Sequence, residues 1–348
     1  MEKPVVIKLG SSLVVNGVGR ARRTVIADRC KEIHQLIETK TPVCVVSSGA
    51  IAFGLRQLGL TKRPKSIPQL QAASALGQSR LQRVWEEELA RHDLHAAQIL
   101  ITAQDIADRG SYLNARNALH SLLEEGAVPV INENDATATD EITFGDNDTL
   151  AAQIAVLISA RLLILLTEVE GVYTRAPGTP GATLIGDGGA IENADFQGMN
   201  PLGKGGMKSK IVAAEMAALA GIPTVIAAGH GADVINPIVA GEPRGTRFAP
   251  AKDTPSAFKL WLRFGKPVHG RLHVDTGAEK ALRQDGRSLL AVGVVRCEGD
   301  FNAGDGVELV GPDGTVFGKG IVDTSSSEIT TQSHDLEAVH RDRLVIFE

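Results

Sequence analysis

The sequence has few cysteines, few aromatic residues and no long run of charge of one sign. Its three cysteines, Cys30, Cys44 and Cys297, lie far apart and form no C-x-x-C pair, so we expect reduced thiols in a reducing compartment. Aromatic residues make up 4% of the chain, and its formal net charge is only -5. These values disfavour a nucleic-acid-binding surface, and RNA is not an expected partner.

Long hydrophobic runs are also absent. Lys8 interrupts the first apolar run too early for a signal peptide. The most apolar stretch, 154–167, is broken by Ser159 and Arg161 and is shorter than the roughly 20 residues that cross a bilayer. We therefore expect a cytoplasmic protein that does not enter a membrane.

The chain has 348 residues, of which 43% are hydrophobic and 22% charged, a size and composition typical of two globular domains. Up to about Ala240, short apolar runs alternate with longer helical patterns, which predicts an α/β fold with a mostly parallel sheet. The predicted strands are 5–9, 43–47, 96–100, 128–132, 162–167 and 224–228. The predicted helices include 26–37, 112–125 and 208–220.

A change in composition follows, where Pro243, Pro250 and Pro255 punctuate a polar stretch. We place a linker at 242–258 and predict two domains, 1–250 and 259–348. The second is predicted to be small and mostly β, with strands at 291–295, 307–310 and 344–347 and turns at 304–306 and 312–314.

The first candidate functional residue is Lys8, within the first predicted strand. A central parallel strand is buried on both faces, where an ammonium group costs several kcal/mol unless an opposite charge lies beside it. Gly10 and the two serines that follow would let backbone N–H groups approach a phosphate. The structural alternative is an edge strand with a solvated lysine.

Two further strand ends carry polar residues. Ser47, Ser48 and Gly49 separate the second strand from a helical pattern, which forms either an anion site or a simple helix cap. The segments 132–135 and 144–149 are rich in Asn and Asp, which can bind both the ammonium and the carboxylate of an amino acid. A solvated turn explains one of these segments more easily than both.

The last two candidate segments favour a nucleotide. Thr167 and Glu168 end a buried strand, where they could hold a base or ribose or simply cap the strand. The segment 203–210, Gly-Lys-Gly-Gly-Met-Lys-Ser-Lys, precedes an Ala-rich helix, and its glycines, lysines and helix N-terminus all favour phosphate. It is not a P-loop, because Gly205 replaces the Ser or Thr that binds magnesium and no strand directly precedes Gly198.

Together these segments closely resemble the amino acid kinase family. The segments that carry the resemblance include 77–81 (Gly-Gln-Ser-Arg-Leu), 112–116 (Tyr-Leu-Asn-Ala-Arg), 131–135 (Ile-Asn-Glu-Asn-Asp) and 145–148 (Gly-Asp-Asn-Asp). The resemblance runs through nearly the whole chain and implies a three-layer α/β/α sandwich. It also implies ATP-dependent phosphorylation of the γ-carboxylate of L-glutamate, with Mg²⁺ as cofactor, as the first step of proline biosynthesis.

The resemblance implies a role for individual positions. Lys8 and Lys210 would contact the ATP phosphates and stabilise the transferring group, while Asp148 would orient both lysines. The residues implied to bind glutamate are Ser48, Asp135 and Asn147. Those implied to bind ATP are Lys8, Thr167, Glu168, Lys204, Gly205, Gly206, Met207, Lys208, Ser209 and Lys210. Three positions depart from the family pattern. Glu168 stands where we expect Asp, Lys204 stands where we expect Thr, and Lys208 adds a further charge.

The C-terminal region, from Gly270 to about Asp305, resembles the PUA domain. The family resemblance also implies feedback inhibition by proline, a homo-oligomer and a downstream reductase that consumes the acyl phosphate. His269 and His273 have i, i+4 spacing without a metalloprotease glutamate, so no protein metal site is predicted. Two alternatives stay open: a kinase for acetylglutamate or aspartate, and an RNA-binding protein acting through the PUA-like region.

Overall fold

The computed structural model of the chain describes residues 2–137, 147–193, 206–329 and 336–347. The chain divides into two units, Met1–Thr254 and Pro255–Glu348. The boundary lies inside the proline-containing stretch 242–258. Among the described residues, no helix is both long enough and apolar enough to cross a membrane.

The first unit alternates strands and helices along the chain. Its strands are β1 Val5–Leu9, β2 Val43–Ser47, β3 Ala96–Ile101, β4 Val128–Glu133, β5 Leu162–Thr167, β6 Val172–Tyr173, β7 Leu184–Ile185, β8 Thr224–Ala228 and β9 Thr246–Phe248. Its helices are α1 Ser11–Val14, α2 Arg23–Glu38, α3 Ala50–Gln57, α4 Ile67–Leu89, α5 Ala103–Ala107, α6 Arg109–Glu124, α7 Asn147–Leu157, α8 Met207–Leu219 and α9 Ile235–Val239.

A seven-stranded sheet in the order β3-β4-β2-β1-β5-β8-β9 forms the centre of this unit. Every neighbouring pair is parallel except β8 with β9, which is antiparallel. The predicted mostly parallel α/β sheet is therefore confirmed. The observed bounds of β1, β2, β5 and β8 match the predicted ones, because each of these strands is a short apolar run that is buried on both faces.

The alternation of side chains along β1 decides which layer Lys8 faces. Val5, Ile7 and Leu9 pack into one hydrophobic core with residues of α2 and α4. Successive side chains of a strand point to opposite faces, so Lys8 points to the other face, towards α7. Lys8 lies in the middle of the sheet and is only 4% exposed, so the edge-strand alternative is wrong.

Two glycines bring α3 and α4 into backbone contact. A Cβ atom added at Gly54 would lie 1.7 Å from the carbonyl oxygen of Ala73, and one added at Gly77 would lie 1.8 Å from that of Ala50. No side chain fits at either position, because the backbone of the facing helix occupies the space that a Cβ atom would need. This contact fixes the position of α4 beside the carboxyl ends of the strands.

The second unit combines short strands with two helices. Its elements are α10 Ala257–Phe264, β10 Gly270–Val274, α11 Thr276–Gln284, β11 Leu289–Leu290, β12 Val294–Glu298, β13 Gly306–Val310, β14 Val316–Ile321, β15 Glu337–Val339 and β16 Leu344–Ile346. A five-stranded sheet in the order β12-β10-β13-β14-β16 surrounds a core that includes Phe301 and Phe317. The predicted strand 291–295 is wrong over Ala291–Gly293, which form a 3₁₀ turn ahead of β12.

Candidate active site

The polar residues that were singled out in the sequence and that the structure describes meet at one edge of the large sheet. From β1 the sheet extends through β2, β4 and β3 on one side and through β5, β8 and β9 on the other. Open α/β sheets bind ligands at the carboxyl ends of strands where the strand order reverses in this way. Strands β1, β2, β4 and β5 end at this edge, and the segments that follow them begin there. Helices α7 and α8 also begin at this edge.

Lys8, Asp148 and Lys210 form a buried cluster, which we call the lysine–aspartate triad. The Nζ atom of Lys8 lies 2.6 Å from Oδ1 of Asp148, and that of Lys210 lies 3.0 Å from Oδ2. The hydroxyl of Ser209 also donates a hydrogen bond to Oδ2, at 2.8 Å. The three charged side chains come from β1 and from the first turns of α7 and α8, so three separate elements assemble the triad.

The triad holds more positive than negative charge. Burial opposes ionisation of Asp148, but the charges and hydrogen bonds of Lys8 and Lys210 outweigh it and lower the pKa of this carboxyl below its ordinary value. Asp148 is therefore ionised at neutral pH and offsets one of the two ammonium charges. The remaining positive charge is suited to an anion at the sheet edge, such as the phosphates of a nucleotide.

A chain of amide groups lies beside the triad. Asn147, the residue before Asp148, donates from Nδ2 to Oγ of Ser48 at 2.8 Å and to Oδ1 of Asn132 at 2.9 Å. Asn132 donates in turn from its own Nδ2 to Oε1 of Gln78 on α4, at 2.8 Å. Both N–H groups of Asn147 thus face the protein, and its buried Oδ1 has no hydrogen-bond partner among the described residues.

Asp135 presents a second acceptor oxygen. It is 5% exposed, and its Oδ2 accepts a hydrogen bond from Oγ of Ser74 on α4 at 2.8 Å. Its Oδ1 is buried without a partner in the described part of the chain. Burial raises the pKa of Asp135, and the hydrogen bond from Ser74 and the charge of Arg63 offset part of that rise. A cation that reached Oδ1 would remove this desolvation penalty.

Ser48 lies at the N-terminus of α3. Because its Oγ accepts from Asn147, its own hydroxyl hydrogen can be donated to a ligand. Gly49 follows with φ of 122°, a conformation that favours glycine and that starts the helix directly after the serine. The free N–H groups of the first turn of α3 and the hydroxyl of Ser48 together suit a carboxylate.

The residues predicted to bind ATP are placed on the other side of the triad. Thr167 ends β5, the strand next to β1, and its carbonyl accepts from the backbone N–H of Gly229 at 2.8 Å. Glu168 and Lys208 are exposed, whereas Gly206, Met207 and Ser209 are partly buried around the start of α8. Lys204 and Gly205 lie outside the described residues.

The sequence analysis missed Ser74 and Gln78 as candidate site residues. Both are buried on α4, at 3% and 8% exposure, and lie one helical turn apart. The only signal was two polar residues at i, i+4 on a face that also carries the buried Leu70 and Leu81. Their function depends on contact with Asp135 and Asn132, more than 50 residues further along the chain.

The described residues at this edge were also considered as metal ligands. In the part of the chain that the structure describes, no group of three or more His, Cys, Asp or Glu side chains could hold a metal ion. Both oxygens of Asp148 already contact ammonium groups. A divalent cation at this edge would therefore depend on ligand oxygens as well as on the protein.

Comparison with known proteins agrees with this arrangement. The model of the amino acid kinase family matches residues 3–228, and that of the PUA domain matches residues 270–340. The chain belongs to the amino acid kinase family. The match to the family model spans the whole large sheet except β9 and includes every element of the candidate active site. Membership of this kinase family implies that ATP is the phosphoryl donor.

Several relatives of this amino acid kinase match over nearly their full length. The glutamate 5-kinase of Dehalococcoides mccartyi (strain CBDB1) is 42% identical over 99% of this chain and 98% of that protein. The glutamate 5-kinases of Geobacter sp. (strain M21) and Burkholderia vietnamiensis are 40% and 42% identical over 99% of this chain. The two matches cover 97% and 98% of those proteins, respectively.

We predict that Asp135→Asn stabilises the ligand-free protein at neutral pH. Because the folded-state pKa of Asp135 is raised, its ionised form is disfavoured by folding, and this penalty grows as pH rises above the unfolded value of about 3.9. The melting temperature of Asp135→Asn should therefore exceed that of the parent protein at pH 7.5, with the difference closing towards pH 4. Thermal unfolding followed by circular dichroism measures it.

The matched control is Asp93→Asn, which removes an exposed carboxyl group at a position with left-handed backbone that asparagine tolerates. This variant should show no such pH-dependent difference. A lower melting temperature for Asp135→Asn than for the parent protein at pH 7.5 would contradict the prediction.

Proposed function

We propose that this amino acid kinase transfers the γ-phosphoryl group of ATP to the γ-carboxylate of L-glutamate, giving L-glutamyl 5-phosphate in the first step of proline biosynthesis. The observation that supports the proposal is two buried acceptor oxygens without partners among the described residues, Oδ1 of Asp135 and Oδ1 of Asn147, the latter on the residue next to Asp148 of the triad. The glutamate 5-kinases that match the chain from end to end support the same conclusion.

The α-ammonium group of the substrate would bind between these two oxygens. A protonated amine carries positive charge and three N–H donors, which can satisfy both acceptors and neutralise the buried carboxylate of Asp135. The amide nitrogen of an N-acetylated substrate is neutral and carries one N–H, so one oxygen and the charge would stay without a partner. The site therefore favours free glutamate over acetylglutamate.

The two carboxylates of glutamate would occupy different ends of the site. The α-carboxylate is suited to the hydroxyl of Ser48 and the first turn of α3, where an anion is favoured. The γ-carboxylate would then extend towards the triad, because Asn147 and Asp148 are adjacent residues at the start of α7. Aspartate has one methylene group fewer, so its side-chain carboxylate would stop short of the transferred phosphoryl group.

The chemistry asks the protein for position and charge. The γ-carboxylate has a reference pKa of about 4.3 and is ionised at neutral pH, so the nucleophile needs no general base. Lys8 and Lys210 would stabilise the negative charge on the transferring phosphoryl group. Asp148 would hold both ammonium groups in place, one at each of its carboxylate oxygens. Mg²⁺, coordinated by ATP phosphates and water, would neutralise further charge.

Other expectations from the sequence stay proposals. The segment after β5 and the start of α8, including Thr167, Glu168, Met207 and Lys208, would bind the nucleotide, together with Lys204 and Gly205. Proline would inhibit the enzyme, a homo-oligomer would form in the cytoplasm, and a reductase would consume the reactive acyl phosphate. RNA is not an expected partner of the PUA-like region. The domain limits 1–250 and 259–348 likewise stay predictions.

The direct test is a substrate panel with purified full-length protein. With MgATP and hydroxylamine, L-glutamate should give a γ-hydroxamate and ADP in equal amounts, because hydroxylamine traps an acyl phosphate. Acetylglutamate and aspartate should each give at most about one tenth of this rate. Acetylglutamate loses a charge-assisted contact worth roughly 1.5–3 kcal/mol, and the side-chain carboxylate of aspartate stops short of the transferred phosphoryl group. A preference for either of these acids over glutamate would overturn the proposal.

We predict that Lys8→Ala and Lys210→Ala each lower kcat by at least about 10²-fold, with smaller changes in KM, because their charges act most strongly in the transition state. Lys208→Ala is the control, since Lys208 is exposed on the same first turn of α8 and does not form an ion pair with Asp148. It should change KM for ATP more than kcat. Steady-state kinetics, with circular dichroism to confirm folding, measures both effects. A near-normal kcat for either triad variant would remove that lysine from the proposed mechanism.

Gln78→Leu should weaken glutamate binding without a direct contact to glutamate. The substitution removes the acceptor that orients Asn132, so the amides of Asn132 and Asn147 can turn and present N–H groups where the substrate needs an oxygen. We expect KM for glutamate to rise by roughly tenfold or more, with KM for ATP nearly unchanged.

The control for this variant is Gln82→Leu, one turn further along α4. Gln82 is also buried, but it contacts Glu86 instead of the asparagines. Equal rises in the KM for glutamate in both variants would show that the effect comes from disturbing α4 and not from the amide chain.

A further inference from the structure

A second cationic site lies on the first unit, outside the triad and the amide chain. It is a cleft of about 550 Å³ that we call the arginine cleft. The residues that line it include Gly19, Arg20, Arg23, Phe53, Arg56 and Arg80. They come from the hairpin around Gly19, the start of α2, the end of α3 and the middle of α4. None of them takes part in the proposed reaction.

Three of the four arginines form no ion pair in the described parts of the chain, and Glu87, the ion-pair partner of Arg23, acts on Arg80 only from beyond salt-bridge distance. Arg23 forms ion pairs with Glu87 and Glu88 of α4. Arg20, Arg56 and Arg80 have no carboxylate within salt-bridge distance in the described parts of the chain. The whole chain has 41 acidic and 36 basic residues, so this local excess of positive charge runs against its overall composition.

The cleft is held in shape by the fold. Oδ1 of Asn16 accepts hydrogen bonds from the backbone N–H groups of Val18 and Arg20, at 3.1 and 2.9 Å, which closes the hairpin. Gly19 has φ of 72°, and a Cβ atom there would lie 2.7 Å from Cβ of Arg56, so the hairpin packs directly on α3. Arg56 also donates to the carbonyl of Val18 at 3.1 Å.

Like charges at short range repel each other, so the three arginines contribute no stability to one another. Guanidinium groups offer several N–H donors in a planar fork that matches phosphate oxygens. A volume of about 550 Å³ falls in the range of small-molecule sites, roughly 300–1,000 Å³, and exceeds what a single phosphate fills. The buried ring of Phe53 forms an apolar wall beside the charged groups.

We propose that the arginine cleft binds a small molecule that carries two or more linked phosphate groups. Such a ligand has enough charge to engage Arg20, Arg56 and Arg80 together, and enough length to span the cleft. This proposal does not depend on the identity of the phosphoryl acceptor, because the cleft shares no residue with the triad or with the amide chain.

The test uses inorganic triphosphate as the probe and isothermal titration calorimetry as the readout. Because triphosphate can also bind at the triad, the full-length chain carries Lys210→Ala in every titration to weaken that site. Three proteins are compared: this background alone, the background with Arg80→Gln and the background with Arg83→Gln. Arg83 is exposed on the same helix, one turn from Arg80, but does not line the cleft.

We expect saturable binding in the background, weakened at least about tenfold by Arg80→Gln and changed less than about twofold by Arg83→Gln. Arg56→Gln, in the same background, should act like Arg80→Gln. Both arginines are exposed, so thermal melting should show that the variants fold normally. No binding in the background, no effect of Arg80→Gln, or an equal effect of Arg83→Gln would each overturn the proposal.

The kinase assay separates this result from that of the proposed function. Arg80→Gln in the chain with Lys210 intact should phosphorylate glutamate normally in the absence of triphosphate. Failure of the substrate panel would leave the binding result unaffected, and failure of triphosphate binding would leave the kinase activity unaffected.

Discussion

The burial of the Lys8 ammonium group in the middle of the large sheet is the constraint on which the site depends. An ammonium at this position is tolerated only because Asp148 lies 2.6 Å away. That ion pair places the start of α7 against β1, and Asn147 is then placed beside Ser48 and Asn132. One electrostatic requirement thus positions both the triad and the amide chain, the two parts of the proposed site.

The position of the amide chain and of Asp135 depends equally on a backbone contact between two helices. Gly54 and Gly77 let α3 and α4 touch through their backbones, and α4 then carries Ser74 and Gln78 to Asp135 and Asn132. Asn147 donates both N–H groups to Ser48 and Asn132, and Ser74 occupies one oxygen of Asp135. What remains for a ligand is a pair of acceptors, which is complementary to an ammonium group. In the function that we propose, specificity would therefore depend on residues that do not touch the substrate.

The sequence predicted the strands better than the network between them. β1, β2, β5 and β8 are short apolar runs, and this composition predicts burial on both faces. Lys8, Ser48 and Thr167 lie at or next to the ends of three of these strands. α4 was not predicted, because its long, partly polar sequence has a weak apolar period. The strand predicted at 291–295 was misplaced, because Ala291–Gly293 turn before pairing begins. Ser74 and Gln78 gain their roles only from tertiary contacts.

The position of Lys8 also affects the order in which the chain folds. Its partner Asp148 pairs in turn with Lys210, so the triad closes only after very long loops have been ordered. Contacts between residues so distant in sequence slow folding, and they cannot form on the ribosome before α8 has been synthesised. Until Asp148 takes its place beside Lys8, β1 carries a charge that opposes its burial. The centre of the sheet and the lysine–aspartate triad therefore form together, late in folding.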